Sequence, residues 1–453
     1  MKFNWVLIFG GGELSGNNDG GFKNSKINVS INENFYFNNK LSLPTVIKEY
    51  DNIEKLLVSY KYLSCITIQI PDLRKIEHLY GSNVYLDTFN HLTNTLKELR
   101  EGELRKSDIF IIDIYDVDTF VIFLSSPRED STNLLYHLEN IAERIRIKLE
   151  EAVFTLLFPY LKEYSIPTVG YALEIQNPMV NNMRLIMQLV NNAKKMGEFT
   201  AMKQDYTGRY ELQKIIVEKN LSTVFQPIVN LKTLDILGYE ALTRGPENSK
   251  FHNPLILFLL ATKCGLSFEL DSLCRKIALE NARHLETDKK IFINTLSMTI
   301  HDPEFRGVYL KDLLDDLKLK PENVVFEVSE KLAIDNYALF REAMKDYSDL
   351  GIVHAGDDMG TGYSGLERIM ELNPGFLKID ISFSRLIHKS YIKQEIVKAI
   401  VNLAKNINSQ LIAEGIETKE EYEMLLDIGV EYGQGYLFAK PSAELGGIQK
   451  DFL

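Results

Sequence analysis

IVKAIVNLAKNINSQLIAE (residues 396–414) holds a helix, a strand and an acid in succession. Ile396, Ile400, Leu403 and Ile407 recur at the helical period and so share one helical face. The polar pair Asn408-Ser409 ends that pattern, Leu411-Ile412-Ala413 is a short apolar strand, and Glu414 closes it. The same unit stands upstream. Phe340, Met344, Tyr347 and Leu350 form one helical face, and Gly351 suits a helix C-cap. Ile352-Val353 and then Asp357-Asp358 follow. From residue 206 onward the chain keeps this rhythm. Helix–strand repetition over about 240 residues predicts an α/β fold, a (β/α)8 TIM-like barrel, whose functional side chains gather where strands end.

The apolar strands of this half are closed or directly followed by polar groups. They are Gln226 in VFQPIV, Glu240 in ILGYEALTR, Asn294 in IFINTLS, Glu327 in VVFEVSE, Asp357-Asp358 in GDDMGTGY, Lys378 in FLKID, Glu414 in LIAEGIET and Gln434 in YGQGY. In a barrel all point into one mouth. A single strand-end acid is readily explained as a solvated helix cap, but an ordered set is not. The carboxylates repel one another unless cations neutralise them. Oxygen ligands without Cys or His imply Mg²⁺ or Mn²⁺, not zinc. Adjacent Asp357 and Asp358 can serve two metals. A metal pair about 3.5–4 Å apart clamps the attacking and leaving oxygens of an in-line displacement at phosphorus. Arg244 suits a bidentate grip on a phosphate.

Composition narrows the class. The 453 residues are 45% hydrophobic, 10% aromatic and 25% charged, a globular balance. With 51 basic and 63 acidic residues the net charge is -12, which argues against nucleic acid and anionic membrane as partners. Cys65, Cys264 and Cys274 form no C-x-x-C pair, so neither a zinc site nor a disulfide framework is expected, and a reducing compartment is. No run approaches the ~18 apolar residues of a membrane span, and the apolar stretch Trp5–Phe9 is shorter than a signal-peptide core. A soluble cytoplasmic protein is expected. Residues 1–45 read as a Gly/Asn-rich lead-in that lacks the Lys-Ser/Thr of a P-loop. Residues 46–205 alternate helical and strand patterns and read as an α/β domain with a mixed sheet.

The segment from Leu221 to Pro441 resembles an EAL domain, the cyclic-di-GMP phosphodiesterase family. EALTR, INTLS, FEVSE, DDMGTGYSG, LKID, AEGIET and QGYLFAKP stand in the family's order. The resemblance implies hydrolysis of cyclic di-GMP to linear pGpG with two divalent cations. It implies Glu240, Asn294, Glu327 and Asp357 as ligands of one metal. Asp357, Asp358 and Glu414 surround the other and its water. Lys378 positions or deprotonates that water, and a Lys beside two cations is expected to have a lowered pKa. Glu330 steadies the paired aspartates, and Gln226, Arg244, Glu417 and Gln434 support substrate or site. A homodimer through the EAL domain is also implied. The family usually has Phe where Met359 stands and Ser where Gly365 stands. Both departures bear on regulation and rate more than on the chemistry.

The 46–205 segment resembles a degenerate GGDEF cyclase domain. QIPDLRKIEHLYG (Gln69–Gly81) has Gln69 and Pro71 at the metal-side aspartates, and Glu77 and His78 at the guanine-side Asn and Asp. The signature turn reads Asp116-Val117-Asp118-Thr119-Phe120 and has lost its glycines. Arg105 and Asp108 resemble the R-x-x-D inhibitory site at a longer offset. Cyclase activity is not expected, and a regulatory role is. The alternative function for the whole chain is a non-catalytic cyclic-di-GMP receptor that signals to a protein partner.

Overall fold

The computed structural model describes residues 37–38, 43–113, 118–125, 134–329, 337–359 and 374–449, with backbone alone at 37–38, 100, 101, 103, 329, 337–340, 358 and 359. Glu330, Gly365, Asp116 and Val117 lie outside the described residues. No helix among the described residues is long and apolar enough to cross a membrane.

The first body begins with two short antiparallel strands, β1 (Phe37–Asn38) and β2 (Leu43–Pro44). Helix α1 (Tyr50–Tyr60) enters β3 (Tyr62–Gln69), and α2 (Leu73–Tyr80) and α3 (Ser82–Glu103) cross to β4 (Ile109–Ile112). Strand β5 (Thr119–Phe123) returns, and α4 (Leu134–Leu161) leads to β6 (Thr168–Ile175). The sheet order is β4-β5-β3-β6, and all three pairings are antiparallel. This corrects the mixed sheet expected for residues 46–205. Strands β3 and β4 point the same way after the helical crossover, but β5 separates them, and the parallel contact at the sheet's edge is the isolated bridge between Thr45, just past β2, and Ile112. The arrangement is the split β-α-β-β-α-β of ferredoxin-like folds.

Strand β3 reads as an unbroken apolar run because both its faces are covered. Leu63 and Cys65 pack with Ile53, Leu57, Val121 and Phe123 on one side. Ile66 and Ile68 pack with Phe89, Leu92 and Phe120 on the other, as the two-residue period requires. The long helix α5 (Asn182–Val217) lies directly on β6. A Cβ at Gly170 would stand 1.9 Å from the Ala193 carbonyl oxygen, so only glycine allows that approach. The expected boundary at 205–206 falls inside α5, which continues to bury Leu212 and Ile215 against the second body.

The second body is a closed eight-stranded barrel: β7 (Ser222–Asn230), β8 (Ile236–Arg244), β9 (Lys290–Thr295), β10 (Val324–Ser329), β11 (Val353–Met359), β12 (Phe376–Ile379), β13 (Gln410–Ala413) and β14 (Tyr432–Gly433). Strand β7 runs antiparallel to both its neighbours, β8 and β14, and the other pairs are parallel. A wholly parallel (β/α)8 barrel is therefore corrected at its first strand. The reason is local. A parallel crossover needs a dozen or more residues, and only residues 231–235 join β7 to β8. The Asn230 side chain tightens that turn by accepting from the Lys232 and Thr233 amides at 2.9 and 3.0 Å.

The floor of the barrel is an apolar plug of Ile228, Phe292, Val325, Ala355, Phe376 and Ile412. Phe292 and Phe376 meet edge to face at 5.1 Å. Two residues beyond five of these plug positions stand Asn294, Glu327, Asp357, Lys378 and Glu414. The period of two thus puts every one of those polar groups on the inward face, one layer above the plug. Of the line Ile396, Ile400, Leu403 and Ile407, the last three pack against the core, and only Ile396 does not. The helix Tyr391–Asn406 buries Val397, Val401 and Ala404, while Ile396 is exposed. Isoleucine and valine lines run side by side there, and only packing chooses between them.

Candidate active site

Lys378 stands at the centre of the mouth, fully buried. Its Nζ lies 2.6 Å from Glu414 Oε1, 2.9 Å from Glu327 Oε1, 3.4 Å from Glu240 Oε2 and 3.8 Å from Asp357 Oδ1. Two amides tie the ring together. Asn294 Nδ2 donates to Glu240 Oε1 at 2.9 Å, and Gln434 Nε2 donates to Glu240 Oε2 at 2.7 Å. Gln434 Nε2 also lies 3.0 Å from Gln226 Oε1, and Gln226 Nε2 donates to the Ala439 carbonyl at 3.0 Å. Gln226 reaches the mouth from mid-strand, directly opposite Glu240, because its strand runs downward.

The four carboxylates are not equivalent. Burial alone would raise Glu240, but the Lys378 ammonium and the bonds from Gln434 and Asn294 outweigh it, and its pKa falls below the ordinary range. Burial raises Glu327 well above that range, with the Glu240 and Asp357 charges adding to it and Lys378 opposing. Glu414 is pushed up to about 8, by burial first and then by Asp357 and Glu240, again against Lys378. Burial works against the Lys378 ammonium, yet Glu240, Glu327, Glu414 and Asp357 together raise its pKa well above the ordinary lysine value. The lowered pKa expected for a lysine beside two cations is reversed when carboxylates alone surround it.

Other site candidates stand apart from the ring. Arg244 ends β8 and donates to the Thr243 carbonyl at 2.8 Å. Glu417 pairs with Arg385 on the rim. The backbone of Asp358 continues β11. Three features escaped the sequence reading. Glu421 is buried and accepts from the Leu386, Glu417 and Thr418 amides at 2.9, 3.0 and 3.2 Å, which fixes the loop after Glu414. Its signal was legible: Thr418-x-x-Glu421 is a capping-box pattern. Gly415 has φ of +67°, and a Cβ there would stand 2.2 Å from Ile381 Cγ1. Buried Arg275 pairs with Asp271 and Asp302 at 3.0 Å each and lies 4.0 Å over the Phe305 ring. Asp271 also accepts from Leu296 N at 3.3 Å and Thr299 Oγ1 at 2.5 Å, which clamps the loop that follows Asn294.

Residues 209–441 match the family model described as EAL domain, over half of the chain. The chain belongs to the EAL domain family. Among curated relatives, the blue light- and temperature-regulated antirepressor BluF of Escherichia coli K12 is 33% identical over 226 residues, 49% of this chain and 54% of that protein. The cyclic di-GMP phosphodiesterase PdeA of Borreliella burgdorferi is 23% identical over 450 residues, 92% of this chain and 67% of that one. The chain thus spans about half of BluF and, in another relative, 29% of the oxygen sensor protein DosP of Escherichia coli K12. Among solved structures, a standalone EAL protein from Vibrio cholerae O395 in its c-di-GMP-bound form is 32% identical with a TM-score of 0.46, covering 51% of this chain and 97% of that one.

The EAL family implies divalent cations at this mouth, and the residues fit them. The donors are hard oxygens throughout. Both carboxylate oxygens of Glu327 are buried, and what meets Oε1 is the Lys378 ammonium at 2.9 Å, so the position already takes a positive charge. As the side chains stand, no group of three or more His, Cys, Asp or Glu among the described residues is arranged to hold an ion. The Lys378 ammonium and a divalent cation compete for the same oxygens.

Proposed function

We propose that this EAL protein hydrolyses one phosphodiester bond of cyclic di-GMP to give linear pGpG, with two divalent cations, Mg²⁺ or Mn²⁺. The observation that carries the reading is the ring of Glu240, Glu327, Asp357 and Glu414 around the buried Lys378. On this reading Glu240, Asn294, Glu327 and Asp357 hold one ion, and Asp357, Asp358 and Glu414 the other. Such ions supply charge neutralisation to a phosphodiester undergoing displacement. The amides of Asn294 and Gln434 orient both oxygens of Glu240, and Gln226 orients Gln434. Lys378, freed from the carboxylates, holds or moves the proton of the attacking water. Arg244 meets a phosphate oxygen, and Glu330 and Glu417 support the loops around the mouth.

We assign residues 206–453 to the phosphodiesterase unit and residues 46–205 to a degenerate GGDEF-like regulatory unit, preceded by the lead-in 1–45. The match to PdeA over 92% of the chain supports a tandem organisation. In the first body Asp118, the third residue of the altered signature turn, accepts from Arg74 Nε at 2.7 Å and from the Tyr85 hydroxyl, so its charge is met internally. This supports a unit that does not handle metal-bound triphosphate. Exposed Ile381, Leu386, Tyr391, Ile392 and Ile396 lie along and before the helix Tyr391–Asn406 and support a homodimer through the barrel. The cytoplasmic setting belongs to the same reading, and the three cysteines are free.

A receptor reading stands second, favoured by the antirepressor BluF among the relatives and by the departures at Met359 and Gly365. The deciding experiment follows pGpG by chromatography after cyclic di-GMP is mixed with the purified protein and Mg²⁺ or Mn²⁺. Turnover is expected, and it disappears in Glu240→Ala and with chelator. Absence of turnover together with metal-independent binding of the dinucleotide would replace the enzyme with the receptor.

A further inference from the structure

The chain that leaves β9 has no ladder of its own. Over residues 296–305 it makes three successive turns, in which the Thr299, Asp302 and Phe305 amides donate to the Leu296, Thr299 and Asp302 carbonyls at 3.0 Å each. Turns of this i→i+3 kind bond poorly and stay short, so their place is set by what anchors them. Two helices outside the barrel supply the anchors. From the helix Ser267–Asn281, Asp271 accepts from the Leu296 amide at 3.3 Å and the Thr299 hydroxyl at 2.5 Å. From the same helix, Arg275 Nη2 donates to the Thr299 carbonyl at 3.3 Å and to Asp302 at 3.0 Å. From the helix Tyr337–Leu350, the Tyr347 hydroxyl donates to the Ile300 carbonyl at 3.1 Å. Asp271 and Arg275 are 2 and 0% exposed, so these bonds form away from water and are strong for that reason.

Asn294 needs such an anchor. Strand β10 pairs with β9 as far as Val328 and Thr295. On the other side the pairing of β8 with β9 stops at Ala241 and Ile293, one residue short of Asn294. The Asn294 side chain is exposed, and it donates to Glu240 Oε1. Its aim therefore follows the backbone, and the backbone beyond Thr295 follows Asp271.

We propose that Asp271 and Arg275 are positioning residues of the mouth: they fix residues 296–302, hold Asn294 on Glu240, and so set the affinity for the one cation that Asn294 would bind. The inference rests on the two-cation reading. The second cation, assigned to Asp357, Asp358 and Glu414, depends on β11 and the end of β13, and β10 stands between β9 and β11. It does not depend on the clamp. A clamp that only held the barrel together would act on both cations alike.

The test uses the full chain. Asp271→Ala removes the acceptor of the Leu296 amide and the Thr299 hydroxyl. Thr299→Val, close to isosteric, is the milder variant should Asp271→Ala fold poorly. Asn323→Ala is the control, since buried Asn323 donates to the Thr287 and Lys289 carbonyls at the opposite end of β9. Hydrogen exchange in chelator, read by mass spectrometry over residues 294–302, rises about tenfold in both clamp variants and not in the control. Partners behind a metal ligand are worth about 10–100-fold in affinity, and this clamp acts one step further out. Of the two Mn²⁺ bound by the parent, read by electron paramagnetic resonance of the free ion, one is weakened about five- to tenfold in both clamp variants and the other is unchanged. Neither ion is weakened in Asn323→Ala. Unchanged exchange in both clamp variants overturns the anchoring. Raised exchange with both ions weakened equally, or neither, overturns the positioning role and leaves stability alone. A parent that binds no Mn²⁺ overturns the two-cation reading, and the effect on affinity falls with it.

Discussion

Replacing Lys378 by Met removes the one cation from a ring of four carboxylates while keeping its length and apolar stem. At an effective dielectric constant of ~20, each contact between 2.6 and 3.8 Å is worth about 4–6 kcal/mol of gross attraction. Desolvation of the ammonium and of the carboxylates offsets most of that sum. Breaking a buried ion pair from one side costs about 3–5 kcal/mol net. For a folding unit of the barrel's size, ~1 kcal/mol moves Tm by about 2–4 °C. The expected loss is therefore about 6–20 °C, read by differential scanning calorimetry with chelator at neutral pH. Lys398→Met is the control: its pair with Glu395 at 2.8 Å is largely exposed, and its Tm should stay unchanged. Mn²⁺ should restore more of the lost Tm in Lys378→Met than it adds to the parent, because the vacated oxygens are the proposed ligands. A loss below about 3 °C, or one equal to that of Lys398→Met, would refute the view that Lys378 balances the ring.

Other expectations follow from the same contacts. Glu414 titrates near 8 in the folded chain against an ordinary 4.5, so its proton is held more tightly folded than unfolded. Its contribution to stability is present below about 4.5 and is lost as pH rises to about 8. In chelator, Glu414→Gln should flatten the fall of Tm over that window, and parallel curves would contradict the assignment. Arg275→Met leaves Asp271 and Asp302 buried and uncompensated, and should cost about 3–5 kcal/mol in urea unfolding; a loss under about 1 kcal/mol would show that the clamp is dispensable. Gly415→Ala should lower both Tm and turnover, since its Cβ meets Ile381 at a left-handed backbone. Ile381→Ala in the same chain should recover the steric part alone, and full recovery would remove backbone strain from the account.

Much of the site was legible because strand geometry is periodic. An inward apolar residue followed two positions later by a polar one is visible in IFIN, VVFE, HAGD, FLK and LIAE without coordinates. The barrel was legible in the same way, as were the antiparallel turn Asn230–Asp235 and the Thr418-x-x-Glu421 cap, had their short-range chemistry been used. Arg275 was harder to find. Its partner Asp271 is one helical turn away, but Asp302 and Phe305 reach it only through the loop after β9. On the helix Tyr391–Asn406 the pattern gave Ile400, Leu403 and Ile407 on the core side, but not that Val397, Val401 and Ala404 lie deeper, because adjacent isoleucine and valine lines differ by a rotation and not by chemistry.

The sequence by itself determined the kind of barrel, its ordered set of strand-borne polar residues and its membership of the EAL family, because local periodicity and motif order are written along the chain. Tertiary structure alone decided that the first body's sheet is antiparallel, that β7 also closes the barrel against β14, and that Lys378 sits among four carboxylates. It also set the charge states. Two glutamates of the same type, Glu240 and Glu414, are driven to opposite sides of their ordinary pKa. Burial and the distances between charges distant in the chain set those energies, and neither exists until the strands close.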